Sequence, residues 1–255
     1  MDYPHFFIDG AWREPKSDRR IAVECPANRE IVGSCPEAVQ ADVDAAVSAA
    51  SAALGRDDWA GTSGADRAGY ITALSDAMKS RAMDLANCAV AEIAAPISFS
   101  KGQVAMARMT LKFYAQLARD FAFEEQRKGY FGRVIVRKEP VGVVAAIVPF
   151  NGPLFAAMLK LGPALASGST VVLKVPMETP LFSYVLAECI VAAGFPAAPL
   201  VAASHSGFGW RICCRTSTWA ASPSRARAAA AATRASSTAT TSSTASRSPT
   251  CGASC

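Results

Sequence analysis

The stretch from Pro140 to Gly194 constrains the fold most, because apolar runs of strand length and helix length alternate there. Residues 141–148 form one uninterrupted apolar run rich in β-branched side chains, the pattern of a parallel strand covered on both faces. A loop at 149–153 follows, then a helix over 154–166 that Ser167-Gly168 closes. Residues 170–173 read as a second buried strand and 174–178 as its exit loop. Thr179 is placed to cap the next helix and Pro180 to start it, with Gly194 just past its end. This β-loop-α-β-loop-α order opens a doubly wound parallel sheet, so the fold class is α/β. Such sheets bind ligands outside the carboxyl ends of their strands. The candidate site is therefore the two strand exits, Pro149-Phe150-Asn151 and Lys174 through Glu178.

The residues before this block supply strands and amphipathic helices. Residues 6–8, 11–12, 21–24 and 30–34 read as one small antiparallel meander. A helix over 41–54 puts Val43, Val47, Ala50 and Leu54 on one face. A single helix over 66–92 carries Ile71, Leu74, Met78 and Leu85, with Pro96 as its break. Another over 101–123 carries Val104, Leu111, Tyr114, Ala118 and Phe121, with Met106 and Met109 read as packing. Residues 124–129 read as a charged turn, and 133–138 as an alternating strand at an exposed edge or between subunits.

Charge and cysteine narrow the function classes. The net charge of +5 sits at the carboxyl end: residues 1–196 hold 20 Lys and Arg against 21 Asp and Glu, and the rest holds six Arg and no acid. A basic whole-chain surface for nucleic acid is therefore not expected. The eight cysteines have no zinc-ligand spacing, so no metal site is expected. No signal-peptide pattern opens the chain, and the run 141–150 is too short to span a bilayer. A cytoplasmic, reducing location follows as the expectation.

Neither G-x-G-x-x-G nor G-x-x-x-x-G-K-[ST] follows either strand, so both standard phosphate-binding fingerprints are absent. The Asn151 amide can donate to a developing oxyanion, or it can serve an Asx turn or helix cap. Lys174 can hydrogen-bond a ribose or phosphate, or stand as a solvated loop charge. Spacing leaves both pairs open.

A longer pattern resolves them by resemblance. Glu139-Pro140-Val141-Gly142-Val143-Val144-Ala145-Ala146-Ile147-Val148-Pro149-Phe150-Asn151-Gly152-Pro153, followed by Lys160-Leu161-Gly162-Pro163-Ala164-Leu165-Ala166-Ser167-Gly168-Ser169-Thr170-Val171-Val172-Leu173-Lys174, resembles the NAD(P)-dependent aldehyde dehydrogenase superfamily. Phe7-Ile8-Asp9-Gly10-Ala11-Trp12, Cys25-Pro26-Ala27-Asn28, Asp42 to Val47, Trp59, Arg67 and Pro96-Ile97 resemble its earlier landmarks in order, covering about residues 5–200. The resemblance implies a coenzyme-binding domain, a catalytic domain and a strand arm for homo-oligomer formation. It implies oxidation of a small-molecule aldehyde to an acid with NAD or NADP, through a Cys thiolate that attacks the aldehyde. Asn151 would then join a backbone amide in holding the oxyanion. Ile147, Val148, Pro149 and Phe150 would line the cofactor channel, Lys174 would hold the adenosine ribose, and Met177 stands where NAD-preferring members often carry Glu. Gly152 stands where the family usually has a bulky residue.

The pattern changes near Pro199. The family's third sheet strand, pyrophosphate turn, catalytic Glu and nucleophilic Cys are not found beyond it. Residues 1–200 are thus expected to be a partial coenzyme-binding domain, with part of the oligomerisation arm near 130–139 and no catalytic domain. Residues 201–255, dominated by Ser, Ala, Thr and Arg, read as a disordered low-complexity tail produced by a reading-frame shift. The expectation is a partial, truncated doubly wound sheet of aldehyde dehydrogenase type that lacks activity. A non-catalytic nucleotide-binding or assembly fragment is the alternative.

Overall fold

The computed structural model describes residues 1–196 and the backbone of 200–204. Its centre is the expected βαβα unit. Strand β7 (Val143–Ile147), helix α6 (Pro153–Ala166), strand β8 (Thr170–Val175) and helix α7 (Phe182–Ala192) follow in order, and β7 pairs parallel to β8 from Val143 opposite Thr170 to Ile147 opposite Lys174. The helix after β7 ends where Ser167-Gly168 predicts, because Gly168 takes φ +84, a value that costs a Cβ-free residue little.

Strand β9 (Leu200–Ser204) lies parallel to β8, Val171 opposite Leu200 and Val175 opposite Ser204. A third parallel strand is therefore present where the sequence reading expected none. The rest of the region read as a low-complexity tail, from 205 onward, lies outside the described residues.

The amino-terminal strands do not form one meander. β1 (Phe6–Ile8) and β2 (Ala11–Arg13) make a hairpin that joins the main sheet through β1 antiparallel to β9, giving the order β2-β1-β9-β8-β7. β3 (Arg20–Glu24) and β4 (Ile31–Pro36) form a separate two-stranded ribbon. Alternation along each strand is the same in both arrangements, so pairing partners were not legible in it.

β7 differs from expectation in burial. It occupies the end of the sheet and is only partly covered, with Ala146 buried and Ile147 41% exposed. An apolar run shows that a strand can be buried, not that neighbours bury it. β8, between two strands, has the full cover that β7 lacks: Val171 and Leu173 are completely buried.

Helices pack against the sheet. α1 (Gln40–Ala53) buries Val43, Val47 and Ala50 as the spacing predicts, beside Phe6, Ile8 and Val172. The expected helix over 66–92 is two helices, α3 (Gly64–Ser80) and α4 (Ala82–Ile93), which meet at Arg81. Arg81 leaves helical geometry there and ion-pairs with Asp84 and, at 2.7 Å, with Glu188 of α7. A short α2 (Asp57–Ala60) buries Trp59 ahead of α3. α5 (Ile97–Asp120) begins after Pro96 and buries Val104, Leu111 and Ala118, but Phe121 is 43% exposed. Met106 and Met109, expected as packing, lie on the exposed face.

The residues read as a charged turn are a strand. β5 (Glu124–Gly129) pairs antiparallel with β6 (Gly132–Arg137), tied by Arg137–Glu124 and Lys138–Glu125 ion pairs, and its tip exposes Tyr130 and Phe131 almost completely. Cross-strand charge pairing offsets the low β-propensity of this segment.

Candidate functional site

Both strand exits open at the same end of the sheet, and one hydrogen bond joins them. The Val148 N–H donates to the Lys174 carbonyl at 3.2 Å, extending the β7–β8 ladder one step beyond the strand. Val148 is buried, whereas Ile147, Pro149, Phe150 and Asn151 are exposed. The loop thus turns its apolar and amide side chains outward from a buried root.

Asn151 is not a cap. α6 begins at Pro153 with Gly152 as its N-cap and no side-chain hydrogen bond there, and the Asn151 amide makes no hydrogen bond to another of the described residues. Its donor is uncommitted, which removes the helix-cap reading left open by spacing. Gly152 has room: the nearest atom to a Cβ there would be Gln103 Oε1, at 3.5 Å.

Lys174 is the fifth residue of β8, opposite Ile147, and not a loop residue. It is half-buried, and that burial holds its ammonium below the usual lysine range, opposed by Glu178 nearby. A cation partly desolvated without a hydrogen-bonded carboxylate favours an anionic or hydroxyl-rich ligand. Met177, partly buried, packs against Ile21, Cys35 and Tyr184. The structure thus brings Ile147, Val148, Pro149, Phe150, Asn151 and Lys174 to one end of the sheet, while Met177 leans toward the β3–β4 ribbon.

Two distant side chains set the frame. Trp59 Nε1 donates to the Gly168 carbonyl at 2.8 Å, and Arg67 Nε donates to the Ala166 carbonyl at 3.0 Å. Among the described residues no carboxylate hydrogen-bonds Arg67, and its burial lowers its affinity for its proton. It is held by the Ala166 carbonyl at the negative end of α6, by the Thr62 carbonyl and by the Phe123 ring, 4.6 Å from its guanidinium carbon. Both residues stood out as landmarks in the sequence, but their common target, the turn into β8, did not.

Glu92 was missed altogether. From the last turn of α4 its Oε1 accepts the Leu181 N–H at 2.5 Å, and the Phe182 N–H also bonds the carboxylate. Glu92 thereby serves the amino end of α7, the role expected of Thr179, whose hydroxyl is buried without a partner. Burial pushes the Glu92 carboxyl up to about 8 against the pull of those two N–H donors. Its only sequence signal is an acid at the end of an apolar helical stripe.

A sheet with a parallel βαβα unit, and with Asn151 and half-buried Lys174 at the carboxyl end of those strands, is of the doubly wound α/β class, in which ligands bind at that end. Comparison with known proteins specifies it. The model of the aldehyde dehydrogenase family matches residues 12–218. The chain belongs to the aldehyde dehydrogenase family. It is 38% identical over 198 residues to geranial dehydrogenase from Castellaniella defragrans, covering 77% of this chain and 41% of that protein. It is 35% identical to glutarate-semialdehyde dehydrogenase from Pseudomonas aeruginosa, covering 74% and 39%. Among solved structures, an aldehyde dehydrogenase of Mycobacterium tuberculosis complexed with NAD+ superposes with a TM-score of 0.80 at 37% identity, covering 83% of this chain and 44% of that one. An NADP-dependent enzyme of E. coli superposes at 0.74 with 32% identity, covering 80% and 42%. The chain therefore spans about two fifths of the length of these relatives. No described helix is long and apolar enough to cross a membrane.

Proposed function

We propose that this chain is the coenzyme-binding part of an aldehyde-oxidising dehydrogenase and holds NAD or NADP at the carboxyl end of β7 and β8. The observation that carries the reading is the ladder bond between Val148 and Lys174, which sets a free Asn151 amide and a half-buried Lys174 on adjoining strand exits. The site's chemistry fits a dinucleotide: Lys174 offers donors to a ribose or phosphate, and exposed Ile147, Pro149 and Phe150 offer an apolar wall to its rings. When bound, the coenzyme supplies a hydride acceptor. Lys174 fixes its ribose end, Ile147, Val148, Pro149 and Phe150 line its path, and Met177 borders it from the β3–β4 side. Asn151 supplies a donor for the oxyanion that forms when an aldehyde carbonyl is attacked.

The relatives are named for geranial and for glutarate semialdehyde, which supports an aldehyde as the substrate class. The nucleophile does not come from the described cysteines: Cys25, Cys35, Cys88 and Cys189 are all buried, and burial pushes the Cys88 thiol up to about 12 and Cys189 to about 11. The reading is thus coenzyme binding by a cytoplasmic chain, without turnover through the described cysteines. Calorimetric titration with NAD+ and NADP+, followed on the same sample by absorbance of reduced coenzyme with a panel of aldehydes, tests it. The expected result is saturable binding of at least one coenzyme, weakened about tenfold or more in Lys174→Ala, with no reduction. Absence of binding by a folded sample overturns the coenzyme reading, and turnover overturns the inactivity.

A further inference from the structure

Asparagine occurs three times in the sequence, at 28, 87 and 151, and only Asn151 is followed by glycine. The structure holds the three differently. Asn28 is engaged at both ends of its amide, Nδ2 donating to Glu30 Oε2 at 2.7 Å and Oδ1 accepting the Glu30 N–H at 3.1 Å. The N–H that follows it, of Arg29, donates to the Cys25 carbonyl at 2.9 Å. Asn87 lies inside α4, where the Cys88 N–H belongs to the helical ladder. Asn151 and Gly152 lie in the bend between β7 and α6, outside both elements. The Asn151 side chain is exposed, and neither its amide nor the Gly152 N–H makes a hydrogen bond to another of the described residues. Gly152 is held through its carbonyl, which accepts the Ala156 N–H at 3.0 Å. Asparagine is a thermally labile residue, and a glycine nitrogen reaches the preceding side chain with no Cβ in the way.

We propose that Asn151-Gly152 is a self-modifying site, at which the free Gly152 nitrogen attacks Asn151 Cγ and the exposed amide is replaced by a carboxylate. In the first step the bond from the Gly152 nitrogen to Cγ forms and the Cγ–Nδ2 bond breaks. The proton lost by the Gly152 nitrogen leaves with Nδ2 as ammonia, and the product is a five-membered succinimide. Water then opens the ring. Breaking the new bond to Cγ gives aspartate, whereas breaking the bond to the backbone carbonyl carbon gives isoaspartate, whose chain runs on through Cγ. Water is the sole co-reactant, and nothing is oxidised or reduced. Both products replace a neutral amide that donates with an ionised carboxylate that only accepts. Isoaspartate also lengthens the main chain between β7 and α6 by one carbon. At the role proposed for Asn151, a donor to an oxyanion is thereby lost and a like charge gained. That consequence rests on the proposed function; the chemistry rests on the loop alone.

Incubation of the folded chain at neutral pH, with mass spectrometry of its peptides over time and a urea-unfolded sample as the clock, tests it. The expected result is a gain of one mass unit in the peptide that holds Asn151, as two separable products, while the peptides of Asn28 and Asn87 stay unchanged. In heavy-oxygen water that peptide takes up one heavy oxygen. Gly152→Ala is accommodated, since its Cβ would make an ordinary contact with Gln103 Oε1 at 3.5 Å and φ −163 is open to any residue. The added Cβ hinders the attacking nitrogen and is expected to slow the change about tenfold or more. An Asn151 that stays intact in the folded chain while the unfolded chain converts, one that changes no faster than Asn28 or Asn87, or a rate indifferent to Gly152→Ala each overturns the proposal. If Gly152→Ala does not fold, hydroxylamine added to the folded wild-type chain decides, because it captures the succinimide and cuts between residues 151 and 152: the cut supports the site and its absence overturns it. No coenzyme enters these measurements, so a chain that binds neither NAD nor NADP leaves their outcome unaffected.

Discussion

The indole N–H of Trp59 donates to the carbonyl of Gly168 at 2.8 Å, closing a gap of 109 residues. The bond is buried, and Gly168 stands between the end of α6 and the start of β8. Trp59, with Arg67 bonded to Ala166 two residues earlier, therefore fixes where β8 begins. The register of β8 in turn sets Lys174 opposite Ile147.

Trp59→Phe keeps most of the aromatic volume and removes the donor. The Gly168 carbonyl is left buried and unpaired, so stability is expected to fall by about 1–3 kcal/mol. Urea unfolding measures it, and a change within about 0.5 kcal/mol would show that the carbonyl finds another partner.

Ala94 ends α4 at φ +53 and ψ +31, the left-handed region that disfavours a Cβ, and its side chain is exposed. Ala94→Gly relieves that strain at the cost of some chain entropy, so a net gain of about 1 kcal/mol is expected. A thermal melt that fails to rise would mean the strain is smaller than the entropy lost.

Gly162 of α6 packs under the Tyr114 ring of α5, and a Cβ at 162 would overlap Tyr114 Cδ2. Gly162→Ala should cost about 1–3 kcal/mol through overpacking, with part recovered in a Tyr114→Leu background. A double-mutant cycle in denaturant checks the coupling; additive effects would place the strain elsewhere.

Glu92 titrates at about 8 in the folded chain against an ordinary 4.5. The folded state thus holds this proton more tightly than the unfolded state does. Its contribution is complete below about 4.5, declines as pH rises through the window to about 8, and is level above. Cys88, which feels the same carboxylate, is pushed up to about 12 and does not titrate in that window. Glu92→Gln keeps an acceptor for Leu181 and cannot ionise, so its stability relative to wild type should increase between about pH 5 and pH 9. Parallel unfolding curves across that range would show that the carboxylate is accommodated without penalty.

The candidate site was legible in part. Asn151 and Lys174 could be placed at strand exits because a β-branched run, a helix and a Gly stop repeat in order. Choosing a free donor over a cap at Asn151 required the coordinates, since both readings use the same residue in the same loop. Glu92 left no local signal: it lies on a helix remote in sequence from the amino end of α7 that it serves, and an acid on a helix is ordinarily a surface residue.

Local periodicity alone determined the βαβα core, the buried stripes of α1 and α5 and the stop at Ser167-Gly168, because these depend on interactions within a few residues. Tertiary structure decided the rest. β1 pairs with β9, β5 forms against β6, α3 and α4 part at Arg81, and β7 is left at the end of the sheet. Each of those outcomes turns on which distant partner satisfies a backbone edge, a charge or an apolar face, and a pattern of period 2 or 3.6 states that such a surface exists without naming what will cover it.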